Sequence, residues 1–146
     1  LRPWHTNAKK RLVKAPKVFI RDTGLLHALL RIPTVEDLRS HPTAGSSWEG
    51  FVIEQLLGNL PRTWQAHYYR TSAGAEIDLL LHDQRNRPIA VEIKLSATPQ
   101  VAKGFWTAME DLSCKKGYVI YPGKERYPLA ENVTALPLND LDKVLE

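Results

Sequence analysis

The chain has 146 residues, 43% of them hydrophobic and 25% charged, with a formal net charge of +4 and one cysteine, Cys114. That length and balance support one globular domain with its own core and exclude a disordered chain. No apolar run reaches the length of a membrane span, a lone cysteine cannot form an internal disulfide, and no Cys/His cluster has zinc spacing. No membrane partner is expected, and a reducing cytoplasm is the expected compartment.

Residues 1–40 read as a basic N-terminal extension. Lys9, Lys10, Arg11, Lys14, Lys17 and Arg21 fall within thirteen residues that contain no acid. Such a run suits nucleic-acid phosphates or a solvated edge, and Lys9, Lys10, Arg11 and Lys14 are the candidate phosphate contacts. Residues 17–21 predict a short strand. Asp22-Thr23 then reads as an N-cap for a helix carrying Leu25, Leu26, Leu29 and Leu30, stopped by Pro33.

Residues 41–146 read as the core unit. A helix is expected from Trp48 to Leu60, entered through Ser46 or Ser47 and ended by Pro61. Three extended segments follow, at 65–71, 75–82 and 88–95, separated by turn residues. A helix fits 100–112, a buried strand 117–121, a brief strand 133–136, and a terminal helix begins at Asn139. The order helix-strand-strand-strand-helix-strand predicts an α/β domain with a mixed central sheet flanked by helices.

The second and third strands carry the chemistry. Asp78 stands among apolar neighbours in Glu76-Ile77-Asp78-Leu79-Leu80-Leu81, as does Glu92 in Ile89-Ala90-Val91-Glu92-Ile93-Lys94-Leu95. Glu92 and Lys94 share a strand face, while Val91, Ile93 and Leu95 line the other. Burying an unpaired carboxylate costs several kcal/mol, which a bound divalent cation offsets. Two carboxylates on adjacent strands suit Mg²⁺ or Mn²⁺, with Asp78 and Glu92 as metal ligands and Lys94 positioned to orient the attacking water. The plain alternative is a same-face ion pair on an exposed sheet, with Asp78 a satisfied structural acid.

On a helical wheel, Trp48, Val52, Ile53, Leu56 and Leu60 form one apolar arc with Glu49 near its middle. Glu49 therefore joins Asp78, Glu92 and Lys94 as a catalytic candidate, whereas Glu54 faces the opposite way and reads as a solvated acid. Arg70 is a candidate phosphate contact, or else a salt-bridge partner of Glu76 or Glu92. Trp4 and Trp64 read as exposed aromatic surface, and Trp48, Phe105, Trp106 and Cys114 as structural.

At these residues the chain resembles the PD-(D/E)XK nuclease superfamily, the restriction-endonuclease-like fold. The acid of the variable pair falls on Asp78, the E-x-K motif on Glu92 and Lys94, and the helix acid on Glu49; Ile77 stands where the family name has proline. Gly45-x-x-Trp48-Glu49, Tyr69-Arg70-Thr71 and Glu92-Ile93-Lys94-Leu95-Ser96 look like Holliday-junction-resolvase relatives. Across nearly the whole chain, Lys10-Arg11-Leu12-Val13-Lys14-x-Pro16-Lys17 and Arg21-Asp22-x-Gly24-Leu25-Leu26 resemble the C-terminal domain of unknown function of prokaryotic AAA-type ATPases.

The resemblance implies a Mg²⁺-dependent endonuclease-type hydrolase acting on DNA, or a nuclease-like module that binds nucleic acid or regulates and assembles the ATPase without cleaving. It also implies an upstream ATPase module as partner, a chain that is part of a longer protein, and homo-oligomers like those of resolvase relatives. No Walker A sequence occurs in these residues, so no ATP site is expected here.

Overall fold

The computed structural model describes residues 1–4 and 11–146. Lys9 and Lys10 lie outside the described residues. Residues 17–21 form no strand of the sheet; the backbone of Lys17 instead exchanges hydrogen bonds with Leu1, giving its N–H to the Leu1 carbonyl at 3.0 Å and accepting from the Leu1 amine at 2.7 Å. The apolar Val-Phe-Ile triplet favours a buried strand, but only Phe19 packs inward, against the α-carbon of Gly50, while Val18 is 87% exposed.

Helix α1, Thr23–Leu29, starts where the sequence predicts, with the Asp22 carboxylate accepting from the Leu25 N–H at 2.9 Å. A second short helix, α2, Val35–Ser40, follows the Thr34 cap and buries no residue, so no hydrophobic period announces it. Helix α3, Ala44–Gly58, begins ahead of the expected serine cap, and its N-cap is Thr43.

Strands β1, Gln65–Arg70, β2, Glu76–His82, and β3, Pro88–Ile93, form an antiparallel meander close to the expected bounds. Helix α4, Lys103–Asp111, then crosses over to β4, Lys116–Tyr121, which runs parallel to β3. Strand β5, Tyr127–Ala130, was not expected; it is a short edge strand containing Pro128, and proline is tolerated there because the edge needs no donor on its open side. Strand β6, Val133–Pro137, pairs with β4, and the helix expected from Asn139 is a 3₁₀ helix, Leu138–Val144.

The result is a mixed six-stranded sheet in the order β1-β2-β3-β4-β6-β5. One face buries Leu79, Leu81, Val91 and Ile93 against Val52, Ile53 and Leu56 of α3. The other packs Leu80, Ala90 and Val119 on Phe105, Ala108 and Met109 of α4. Leu95 lies past the end of β3 and is 48% exposed, so it does not extend the apolar face as its spacing suggests. Among the described residues no helix is long and apolar enough to cross a membrane.

Trp4 and Trp64 are partly buried instead of exposed. Trp4 lies on the His82 ring with centroids 4.1 Å apart, and Trp64 packs against the core cluster that contains Val52, Ile53 and Leu56. Cys114 is buried, and Phe105 and Met109 are core, as their spacing predicts.

Candidate active site

The β2–β3 ladder runs from His82↔Pro88 to Leu79↔Val91 and stops one residue short of Asp78 and Glu92. At that open end Asp78 Oδ2 accepts a hydrogen bond from the Ile93 N–H at 3.0 Å, which replaces the missing ladder acceptor. Glu92 projects from the same end and is only 6% exposed; Lys94 Nζ donates to its Oε1 at 2.7 Å. An ordinary same-face pair on an exposed sheet is therefore excluded, because Glu92 is a buried acid. Its second oxygen, Oε2, is buried and has no hydrogen-bond partner among the described residues.

Glu49 enters from α3, at the turn of helix that also buries Ser47 and Gly50. Its Oε1 accepts from Lys17 Nζ at 2.9 Å. The same ammonium lies 3.3 Å from Asp78 Oδ1 and 3.4 Å from Glu76 Oε1, and 5.5 Å from the Tyr68 ring centroid. Lys17, Glu49, Arg70, Glu76, Asp78, Glu92 and Lys94 all line one cavity of about 360 Å³, walled on the α4 side by Ala102, Gly104 and Phe105.

Two glycines close its rim. Gly74, in the β1–β2 turn, has φ +88°, and its carbonyl oxygen would lie 2.2 Å from a β-carbon at Gly104, so helix α4 seats against the turn only with glycine there.

The charges are unevenly matched. Burial and the nearby Asp78 push the Glu92 carboxyl up to about 7, against the opposing effect of Lys94. Burial and Asp78 likewise raise Glu49, with Lys17 opposing. Burial works against the charge on Lys17, but Asp78, Glu49 and Glu76 outweigh it and its pKa is raised. Lys94 is raised in the same way, with Glu92 overcoming the cost of burial.

Of the residues singled out from the sequence, Glu49, Asp78, Glu92, Lys94 and Arg70 come together. Arg70 is at the rim, half-exposed, with Nε 3.4 Å from Glu76 Oε2, so the ion-pair reading of Arg70 holds alongside its place in the cavity. Arg11 and Lys14 do not join them; both lie on the segment that runs beside β1, where the Val13 N–H bonds Arg70 O and the Ser72 N–H bonds Arg11 O, and both are exposed. Glu54 is not a free surface acid, since it is partly buried and paired with Arg21.

Sequence reasoning missed Lys17 and Glu76 as members of the site. Glu76 carried a signal, because it lies two residues from Asp78 on one strand. Lys17 carried none, being one cation in a basic run.

The donor set suits a hard divalent cation: carboxylate oxygens on adjacent elements, one of them buried without a partner. As the side chains stand, no three His, Cys, Asp or Glu groups among the described residues converge closely enough to hold a metal, and the Lys17 ammonium occupies the space between Glu49, Glu76 and Asp78.

Residues 44–141 match the family described as Domain of unknown function (DUF4143), and the chain belongs to that family. Residues 1–36 match a second, Domain of unknown function (DUF8612). An uncharacterized protein of Mycobacterium bovis and another of Mycobacterium tuberculosis are each 41% identical to it over 141 residues, 97% of this chain and 32% of the relative. The chain thus spans about a third of the length of the curated relatives it matches. No solved structure matches it.

Proposed function

We propose that the chain is a nuclease-like domain of the PD-(D/E)XK, restriction-endonuclease-like type that hydrolyses DNA phosphodiester bonds with Mg²⁺ or Mn²⁺. The observation that carries this reading is the buried Glu92 with its unpartnered Oε2, in one cavity with Asp78, Glu49 and Lys94.

Asp78 and Glu92 would hold the metal, with Glu49 beside them. The bound ion supplies Lewis acidity toward the scissile phosphate and a more acidic water. Lys94, fixed by Glu92 at 2.7 Å, orients the attacking water and places positive charge where the phosphorane-like charge builds. The Asp78 hydrogen bond to Ile93 fixes that carboxylate against rotation. Arg70 at the rim meets a neighbouring phosphate. Glu49, Glu76, Asp78 and Glu92 stand against Lys17, Arg70 and Lys94, so a divalent cation turns an acid excess of one into a basic excess of one, which suits a phosphodiester.

The relatives are about three times the length of this chain, which leaves room in them for an ATPase module. In this reading the domain acts as the C-terminal part of such an ATPase in the cytoplasm, on DNA, with homo-oligomers as for resolvase relatives. A second reading is favoured by the Lys17 ion pairs: a non-catalytic module whose acids are neutralised internally, retained for nucleic-acid binding or for assembling the ATPase.

Incubation of linear, plasmid and four-way-junction DNA with the wild type and Lys94→Ala, in Mg²⁺ and in EDTA, separates the two. Mg²⁺-dependent cleavage by the wild type that is lost in a folded Lys94→Ala protein is the expected result. Cleavage that persists in Lys94→Ala overturns the mechanism, and none by the wild type on any substrate favours the non-catalytic module.

A further inference from the structure

Among the described residues, Lys17 is the one cation in the cavity within ion-pair distance of three acids. Its Nζ is 2.9 Å from Glu49, 3.3 Å from Asp78 and 3.4 Å from Glu76. The ammonium donates to Glu49 of α3 and Asp78 of β2, and Glu76 lies within ion-pair distance. Without a cation at that point the carboxylates would repel one another at short range. The second, independent feature is Glu92, more than nine-tenths buried on the same cavity, whose Oε2 has no partner among the described residues. The resident ammonium thus binds Glu49 and Asp78 with Glu76 close by, while Glu92 has Lys94 on one oxygen and no donor on the other.

The backbone around Lys17 is anchored apart from its side chain. Lys17 exchanges two hydrogen bonds with Leu1, the Tyr68 hydroxyl donates to the Ala15 carbonyl, and the Val13 N–H donates to Arg70 O. The flexible four-carbon stem of lysine can leave the acids while these bonds persist. Exchange of the cation therefore requires only a rotamer change, without detachment of the segment.

We propose that Lys17 is a built-in competitor for the divalent cation: its ammonium holds Asp78 and Glu49, the acids the metal would use beside Glu92, and the metal enters as the lysine swings out. This rests on the metal-dependent reading above, and it adds Glu76 and Lys17 to the residues that set metal affinity. The competition weakens metal binding by the domain alone. It also releases a cation beside the place where a phosphate would sit, so metal and phosphate loading favour each other.

The test is calorimetric titration of MnCl₂ into the 146-residue wild type, Lys17→Met, Lys17→Gln and Arg21→Met, whose cation pairs with Glu54 outside the cavity. Both Lys17 variants should bind Mn²⁺ about tenfold tighter or more, a difference of about 1.4 kcal/mol, with Arg21→Met unchanged. Their melting temperatures should fall without metal and recover on Mn²⁺ addition. In the wild type, saturating Mn²⁺ should increase acylation of the Lys17 amine relative to Lys103, read by peptide mass spectrometry, so the idea is tested even if a variant fails to fold.

Equal Mn²⁺ affinity in the wild type and folded Lys17 variants, or Lys17 labelling that ignores saturating Mn²⁺, overturns the competition and leaves the metal-dependent reading standing. Loss of Mn²⁺ binding in folded Lys17 variants that the wild type retains also overturns it. Absence of Mn²⁺ binding from every protein, Lys17→Met included, overturns both.

Discussion

Asp78 divides its carboxylate between two duties: Oδ2 accepts from the Ile93 N–H at 3.0 Å, and Oδ1 faces the Lys17 ammonium at 3.3 Å. One oxygen completes the open end of a β-ladder and the other belongs to the charge cluster. The two roles can be separated by substitution.

Asp78→Ala removes both and leaves the Ile93 N–H without its acceptor. Urea denaturation should show a loss of about 1–3 kcal/mol. Asp78→Asn keeps a side-chain oxygen for Ile93 and should lose clearly less, while both variants fail to bind Mg²⁺ under the proposed function. Equal losses would mean that the charge contact with Lys17, and not the backbone bond, dominates the stability effect.

Glu92 makes stability depend on pH with a definite sign. Its folded pKa is raised from 4.5 to about 7 by burial first and Asp78 second. Between those values the folded state binds more protons at Glu92 than the unfolded state, so the Glu92 contribution to stability is greatest below 4.5, falls as pH rises and levels off above 7. Glu92→Gln removes this slope. In metal-free buffer the variant should melt near the wild type at about pH 5 and above it at about pH 8; melting curves that stay parallel across that range would contradict the shift.

Gly104→Ala sets a favourable helix propensity against a collision with the Gly74 carbonyl at 2.2 Å. In the first turn of α4 alanine gains less than the about 1 kcal/mol of a helix interior, whereas overlap with fixed backbone costs about 1–3 kcal/mol. The clash should win, and the melting temperature should fall. Gly45→Ala in α3, where no atom lies within 4 Å of the added carbon, is the matched control and should cost nothing.

DNA binding should separate the basic run from the arginine already paired with an acid. Neutralising Lys9, Lys10, Arg11 and Lys14 together should weaken binding and make its dependence on salt shallower, by a slope of about one for each phosphate left unneutralised. Arg21→Ala should have little effect, because that guanidinium is already paired with Glu54. Filter binding from about 50 to about 200 mM salt is the measurement, and an unchanged slope would dismiss the basic run as the DNA-facing surface.

The strands of the meander were legible because they are bounded by turn residues and carry apolar runs, and the acids on them because charge is conspicuous in a buried strand. Glu49 was legible from its place in an apolar arc. Lys17 was not, since a lysine among lysines gives no hint of which one turns inward; its direction depends on contacts with Leu1, Tyr68 and acids that lie 32 to 61 residues away. The same long reach explains the failed strand at 17–21, where local β-propensity was overruled by pairing with the chain's own start. Helix α2 and edge strand β5 gave no comparable signal because neither shows a clear apolar period: α2 buries nothing, and β5 is short and interrupted by proline.

The meander from Gln65 to Ile93 also has a temporal meaning. Its hairpins close short loops, and such contacts form early, whereas Lys17 meets Asp78 across 61 residues of chain. Glu76, Asp78 and Glu92 are therefore expected to converge during folding before their lysine arrives. The nascent sheet would carry three acids against the two local cations Arg70 and Lys94, leaving Asp78 to dissolved counterions, and the rate of refolding should feel the ionic composition of the medium more than the finished protein does.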